Sequence, residues 1–166
     1  MTPPPNARQQ ILEILRSAAR TPVAEIATRL ELGEAEVAEH IAELEKSKTV
    51  LGYRTVVNHE KLENEPCLGI IEVNITPQRS VGYDEIAAQI YRFPEVILCY
   101  LVSGAYDLIV FVEGKNLKDV ALFVSQKLAT IEHVNRTATH FILRKYKEAG
   151  IILADEEKVQ RLPITP

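Results

Sequence analysis

The sequence predicts an α+β chain in two parts, a helical first third and a longer sheet-and-helix remainder. Three observations carry this. Residues 7–47 hold three short apolar stripes at helical spacing, broken at Thr21-Pro22 and at Leu32-Gly33. A polar stretch, Asn58 to Pro66, follows. Beyond it, apolar runs of strand length alternate with amphipathic segments of helix length.

Asn6, with Gln9 three residues on, reads as a cap for a helix over 7–18. Ile11, Leu12, Ile14, Leu15 and Ala18 supply its apolar side. Thr21 reads as a hydroxyl cap and Pro22 as the first residue of a second helix, with Val23, Ile26, Ala27 and Leu30 on one stripe. Glu31-Leu32-Gly33 makes a tight turn. A third helix runs from Glu34 to Ser47, with Val37, Ile41 and Leu44 inward. Leu51-Gly52-Tyr53 and Thr55-Val56-Val57 read as a small extended pair. Three short helices with a tight turn before the third, then a strand pair, describe a winged helix-turn-helix over residues 1–57.

Residues 58–67 read as a linker, and a second domain follows over 68–150. Leu68–Ile75 reads as a strand, Tyr83–Arg92 as a helix, and Val96–Ser103 and Asp107–Val112 as two strands about a loop at Gly104-Ala105-Tyr106. Leu117–Leu128 reads as a helix and Thr137–Tyr146 as a last strand. The order βαββαβ is the ferredoxin-like split unit. Phe93-Pro94-Glu95-Val96 and Ile131-Glu132-His133-Val134 end the two helices alike, as in two related βαβ halves. Residues 151–166 read as a tail, with Ile151, Ile152 and Leu153 docking on something.

Composition narrows the function classes. The 166 residues are 46% hydrophobic and 25% charged, an ordinary globular mixture. The longest apolar run, Val96–Val102, falls far short of the ~20 residues of a membrane helix. The N-terminus lacks the basic flank and apolar stretch of a secretion signal. Cys67 and Cys99 lie far apart inside apolar runs, which fits a reduced, cytoplasmic setting. The net charge of −4 is evenly shared: residues 1–64 carry 8 Lys and Arg against 10 Asp and Glu. Neither part has the basic surplus of a protein that grips nucleic acid chiefly by its phosphates.

The second domain implies a partner. Both helices of such a fold cover one sheet face, and an exposed opposite face should turn polar. Instead Val96, Leu98, Tyr100 and Val102 alternate with Ile97, Cys99 and Leu101, and Ile109 and Phe111 alternate with Leu108, Val110 and Val112. An apolar face of this extent predicts sheet-to-sheet homodimerisation.

Taken together, the chain resembles the Lrp/AsnC family (feast/famine regulators) from about Ala7 to Leu153. The resemblance rests on Ile11-Leu12-x-x-Leu15, Glu25-Ile26-Ala27, Leu32-Gly33, Val37, Ile41-x-x-Leu44-Glu45 and Gly52-Tyr53. In the second domain it rests on Val102-Ser103-Gly104-Ala105-Tyr106-Asp107-Leu108 and Thr137-Ala138-Thr139. It implies a DNA-binding transcription regulator, not an enzyme, whose dimers assemble further into octamers. It also implies an amino acid or similar small metabolite, bound between dimers near the hairpin and the last strand, as effector. Carried over, the ligand residues are Ser103, Gly104, Ala105, Tyr106, Asp107, Thr137 and Thr139. Asp107 would accept from an ammonium group and the threonines would donate to a carboxylate. The alternative is structural, with Gly104 making the turn and Asp107 capping it.

The third helix departs from the family pattern. Its cap position is Gly33, and Glu34 to Ser47 holds five acids (Glu34, Glu36, Glu39, Glu43, Glu45) against Lys46. Glu36, His40 and Glu43 form a stripe opposite the core residues, on the surface that would enter the major groove. A carboxylate ~4 Å from a phosphate is repelled by roughly 1 kcal/mol even in water. Arg20, Arg29, Lys46, Lys48 and Arg54 remain as phosphate contacts, and Glu36 and His40 as base-facing residues. The second reading is therefore a sensor or assembly partner of the same fold with weak or no autonomous DNA binding, co-assembling with a more basic paralogue. The four histidines show no metal-ligand spacing, and no phosphate loop or nucleophile elbow occurs. Neither a metal nor a cofactor is expected.

Overall fold

A computed structural model of the chain describes residues 6–76 and 82–153. It divides into two compact units, Met1–Thr55 and Val56–Pro166.

In the first unit α1 spans Ala7–Ser17, α2 Val23–Leu30 and α3 Glu34–Lys46. Asn6 caps α1 as expected, accepting from the Gln9 N–H at 2.9 Å. Ile11, Leu15, Ile26, Ala27, Val37 and Leu44 form the core, flanked by Leu30, Leu32 and Ile41. The turn between α2 and α3 is closed by Glu31 in the left-handed region (φ 57°), with the Leu32 N–H on the Ala27 carbonyl. Two expectations are corrected. Thr21 is no cap: its hydroxyl donates to the Ala18 carbonyl at 2.8 Å, and Pro22 stands at the cap position. Leu51–Val57 forms no strand pair. A single residue, Arg54, separates the two runs, and the shortest common hairpin loop needs two. Leu51 is left 85% exposed.

The second unit is built on β1 (Cys67–Ile75), α4 (Tyr83–Ile90), β2 (Val96–Leu101), β3 (Leu108–Gly114), α5 (Leu117–Gln126) and β4 (Val134–Phe141). The sheet order is β2-β3-β1-β4, antiparallel throughout, which confirms the ferredoxin-like fold. The two halves repeat even in their hydrogen bonds. Phe93 N–H bonds the Ile90 carbonyl and Val96 N–H that of Phe93; Ile131 and Val134 do the same with Leu128 and Ile131.

β4 lies nearer the N-terminus than the expected Thr137–Tyr146. Its pairing with β1 ends at Gly69–Phe141 and the Ile142 N–H on the Leu68 carbonyl, and Pro66, just ahead of β1, offers no N–H to carry the ladder further. The chain turns instead into a small hairpin, β5 (Lys147–Glu148) and β6 (Ile151–Ile152). Ala149 and Gly150 close it with φ of 46° and 86°, the geometry of a two-residue turn. Ile151 and Ile152 stay exposed rather than docked; the rest of the expected tail, 154–166, lies outside the described residues. The stretch expected as linker carries one 3-10 turn, His59–Lys61, capped by Asn58. Glu60 pairs with Arg144 at 3.3 Å, and the Asn58 amide donates to the Leu153 carbonyl at 3.5 Å, so this stretch belongs to the second unit.

The helix-covered face holds Ile71, Val73, Leu108, Val110, Val112, Ile86, Ile90, Val120, Phe123 and Leu128. Gly69 and Gly114 let α5 come close: a Cβ on Gly69 would stand 3.0 Å from Val120 Cγ1 and 3.2 Å from Val112 Cγ2. The expected alternation along β2 is corrected by a bulge between Val96 and Leu98. Val96 opposes Val112 on the core side, whereas Leu98 and Tyr100 oppose Phe111 and Ile109 on the other. That open face also carries Ile70 and Ala138, and a Glu72–His140 pair 3.3 Å apart.

Candidate functional site

The hairpin between β2 and β3 is held from three sides. The Val102 N–H bonds the Asp107 carbonyl at 2.9 Å and the Asp107 N–H bonds that of Val73 at 3.0 Å. Gly104, at φ 151°, makes the turn that a side chain would strain. The Asn74 amide donates to the Ala105 carbonyl at 3.0 Å. Ser103, Gly104 and Ala105 are exposed, and Tyr106 and Asp107 half-buried.

Both Asp107 carboxylate oxygens already have donors. Oδ2 accepts from the Ile75 N–H at 2.8 Å and Oδ1 from the Tyr83 hydroxyl at 3.2 Å. Partial burial, then the neighbouring carboxylate, raises the Tyr83 hydroxyl above the usual phenol range. A carboxylate offers about four lone-pair sites, so capacity remains for a further donor. Asn74 and Tyr83 are neighbours of the hairpin that sequence reasoning missed; no motif joins them to Ala105 and Asp107, 31 and 24 positions away.

Thr137 and Thr139 do not reach this hairpin within one chain. They oppose Val73 and Ile71 across the β1–β4 ladder, so they share the helix-covered side and stand one strand beyond β1. The structure therefore brings Ser103 to Asp107 together and leaves the two threonines apart.

On α3, Glu36 and Glu43 are exposed, and the half-buried His40 lies between them, 4.0 Å from Glu36 and 3.9 Å from Glu43. The acidity of this face is partly compensated, since Arg8 of α1 pairs with Glu43, a contact with no local sequence signal. Elsewhere around the helix the Tyr53 hydroxyl donates to Glu45 at 2.9 Å. Partial burial and that carboxylate raise the Tyr53 hydroxyl. Of the expected phosphate contacts, Arg20, Lys46, Lys48 and Arg54 are exposed, while Arg29 is paired with Glu25. Among the described residues no group of three or more His, Cys, Asp or Glu converges as a metal site, and no helix is long and apolar enough to cross a membrane.

A helix-turn-helix unit joined to a ferredoxin-like domain with a pinned β2–β3 hairpin defines a class of two-domain DNA-binding regulators. Comparison with known proteins names the family. The model described as the Lrp/AsnC ligand binding domain matches residues 68–152, and that described as a winged helix-turn-helix DNA-binding domain matches residues 6–49. The chain is 41% identical over 158 residues, covering 95% of both chains, to an uncharacterized HTH-type transcriptional regulator, YugG, of Bacillus subtilis. It is 34% identical over 137 residues to the HTH-type transcriptional regulator LysM of Saccharolobus solfataricus, covering 82% of this chain and 92% of that one. A transcriptional regulator of Neisseria meningitidis, solved as a complex with L-Met, shares the fold with a TM-score of 0.70 at 21% identity, over 87% of this chain and 92% of that one. This protein belongs to the Lrp/AsnC family. It is a DNA-binding transcription regulator with a ligand-binding domain, not an enzyme.

Proposed function

We propose that this regulator is a cytoplasmic homo-oligomer that binds operator duplex through α3 and answers to an amino acid or similar small metabolite at the β2–β3 hairpin. The pinned hairpin carries the effector reading. Ser103, Gly104, Ala105 and Tyr106 present an accessible backbone, and Asp107 keeps acceptor capacity for an ammonium group. Thr137 and Thr139 complete such a site only from another chain, which agrees with a pocket between dimers. Homodimerisation through the open sheet face fits the apolar set Ile70, Leu98, Tyr100, Ile109 and Phe111; octamers are the further assembly the family implies.

Arg20, Lys46, Lys48 and Arg54 supply phosphate contacts, with Arg29 available once released from Glu25. Pairing of Glu43 with Arg8 lowers the electrostatic cost of bringing α3 to the groove, which favours direct DNA binding over the partner-only reading. The test is a salt titration of binding to duplex from the protein's own promoter against random duplex. Sequence-dependent binding supports the reading. No binding down to low salt overturns it in favour of co-assembly with a basic paralogue.

A further inference from the structure

His40 stands in α3 with a carboxylate near each imidazole nitrogen. Nε2 lies 4.0 Å from Glu36, one turn before it, and Nδ1 lies 3.9 Å from Glu43, one turn after. Both separations exceed a hydrogen bond. Nδ1 is buried and has no hydrogen-bond partner, although 26% of the side chain as a whole is exposed. A neutral imidazole has a single N–H, so it turns a lone pair toward one of the two carboxylates. An imidazolium has an N–H for each.

Few other charges surround the ring. On α3 the next carboxylate is the exposed Glu39. Of the charged residues of α1, Arg8, Glu13 and Arg16, it is Arg8 that pairs with Glu43, through the oxygen nearest Nδ1. Those of α2, Glu25 and Arg29, pair with each other, and beyond α3 the Tyr53 hydroxyl is taken by Glu45. In the free chain Arg8 therefore stands against a second cation beside Glu43. A duplex reverses that balance, because its phosphates bring negative charge to a face already lined by Glu36, Glu39 and Glu43. Histidine is the side chain that ordinarily changes charge between about pH 5 and 8.

We propose that His40 takes up a proton as α3 meets DNA, one imidazolium holding both Glu36 and Glu43, a step that rests on the reading that α3 binds operator duplex. His40 is then a positioning residue of the DNA-binding helix, and the acidic face carries its own pH-dependent counterion. Because the complex holds the proton more tightly than the free chain, acid strengthens binding and alkali weakens it.

The test is fluorescence anisotropy of the full chain on its own promoter duplex, at low fixed ionic strength, between about pH 6 and about pH 8. Affinity should rise about fivefold toward the acid end, the effect of one unit charge ~4 Å from a phosphate in water. His40→Gln should show no such rise. His40→Arg, charged throughout, should hold at the alkaline end the affinity that the parent chain reaches in acid. If His40→Gln fails to fold, His40→Arg decides alone. Calorimetry in buffers of unlike ionisation enthalpy should show protons taken up on binding by the parent chain and by neither variant. A histidine with a merely structural role would weaken binding in both variants and leave the slope in place. A flat parent profile, or a slope that survives in either folded variant, overturns the proposal; the second result moves the proton to another histidine. Absence of binding at every pH overturns the reading of α3 as the DNA-binding helix, and the proposal with it.

Discussion

Tyr83 and Asp107 meet where α4 begins and β3 is about to start, the phenol hydroxyl donating to Oδ1 at 3.2 Å while Oδ2 takes the Ile75 N–H at 2.8 Å. One carboxylate thus ties the end of β1, the first turn of α4 and the hairpin into a single bracket.

Asp107→Ala should therefore destabilise the second unit before any ligand is considered. Two donors lose their acceptor, one of them a half-buried backbone N–H, at about 1–3 kcal/mol. The melting temperature should fall by several degrees, and less in Tyr83→Phe, which loses only one bond. Comparing the two variants with and without amino acid separates the bracket from ligand binding. A melting temperature unchanged in Asp107→Ala would show that the bracket contributes nothing.

Gly69→Ala probes the approach of α5 to the sheet. Its new methyl meets Val120 Cγ1 at 3.0 Å and Val112 Cγ2 at 3.2 Å, where rigid β-branched side chains have little room. Overpacking of this kind costs about 1–3 kcal/mol. Adding Val120→Ala should return part of that loss, a coupling that chemical denaturation of the double variant reads directly.

The charge of α3 should set DNA affinity. Glu36→Gln with Glu39→Gln should strengthen binding by roughly fivefold per carboxylate that nears a phosphate, at ~1 kcal/mol each. The gain should shrink as salt rises. Arg8→Ala should act the other way by releasing Glu43. Affinities that ignore all three changes would mean that this face does not approach the duplex.

Glu95 supplies an acid-sensitive contact. Its folded-state carboxyl lies below the ordinary value, chiefly through Lys127, so the contact stabilises above the unfolded pKa and is lost as pH falls through the folded one. Stability in Glu95→Gln should accordingly vary less on the acid side of neutrality. Melts over that range with the same slope as the parent chain would refute the contact's contribution.

Much of this architecture was legible because it is written locally. The stripes of α1 to α3, the Asn6 cap and the βαββαβ order follow from spacing alone. The unreadable parts depend on partners distant in sequence. Leu51–Val57 has strand-forming residues but no room to turn, and β4 stops at the first residues of β1, with Pro66 beyond them unable to extend the ladder. At the hairpin, Gly104 and Asp107 could be read from the sequence, but the donors that occupy the Asp107 carboxylate come from Ile75 and Tyr83. Thr137 and Thr139 share the family's motif, yet which side they face was decided by register with Val73 and Ile71. Arg8, thirty-five positions from Glu43, gave no pattern to notice.

The β2 bulge has a consequence for chain length. Two steps along β2, Val96 to Leu98, match one step along β3, Val112 to Phe111, so Ile97 is a supernumerary residue. Without it, Val96, Leu98, Cys99 and Tyr100 would alternate inward and outward as they do now, in a straighter strand. The sheet tolerates a one-residue difference in length at this point with every neighbour keeping its side, and a relative one residue shorter there would present the same two faces.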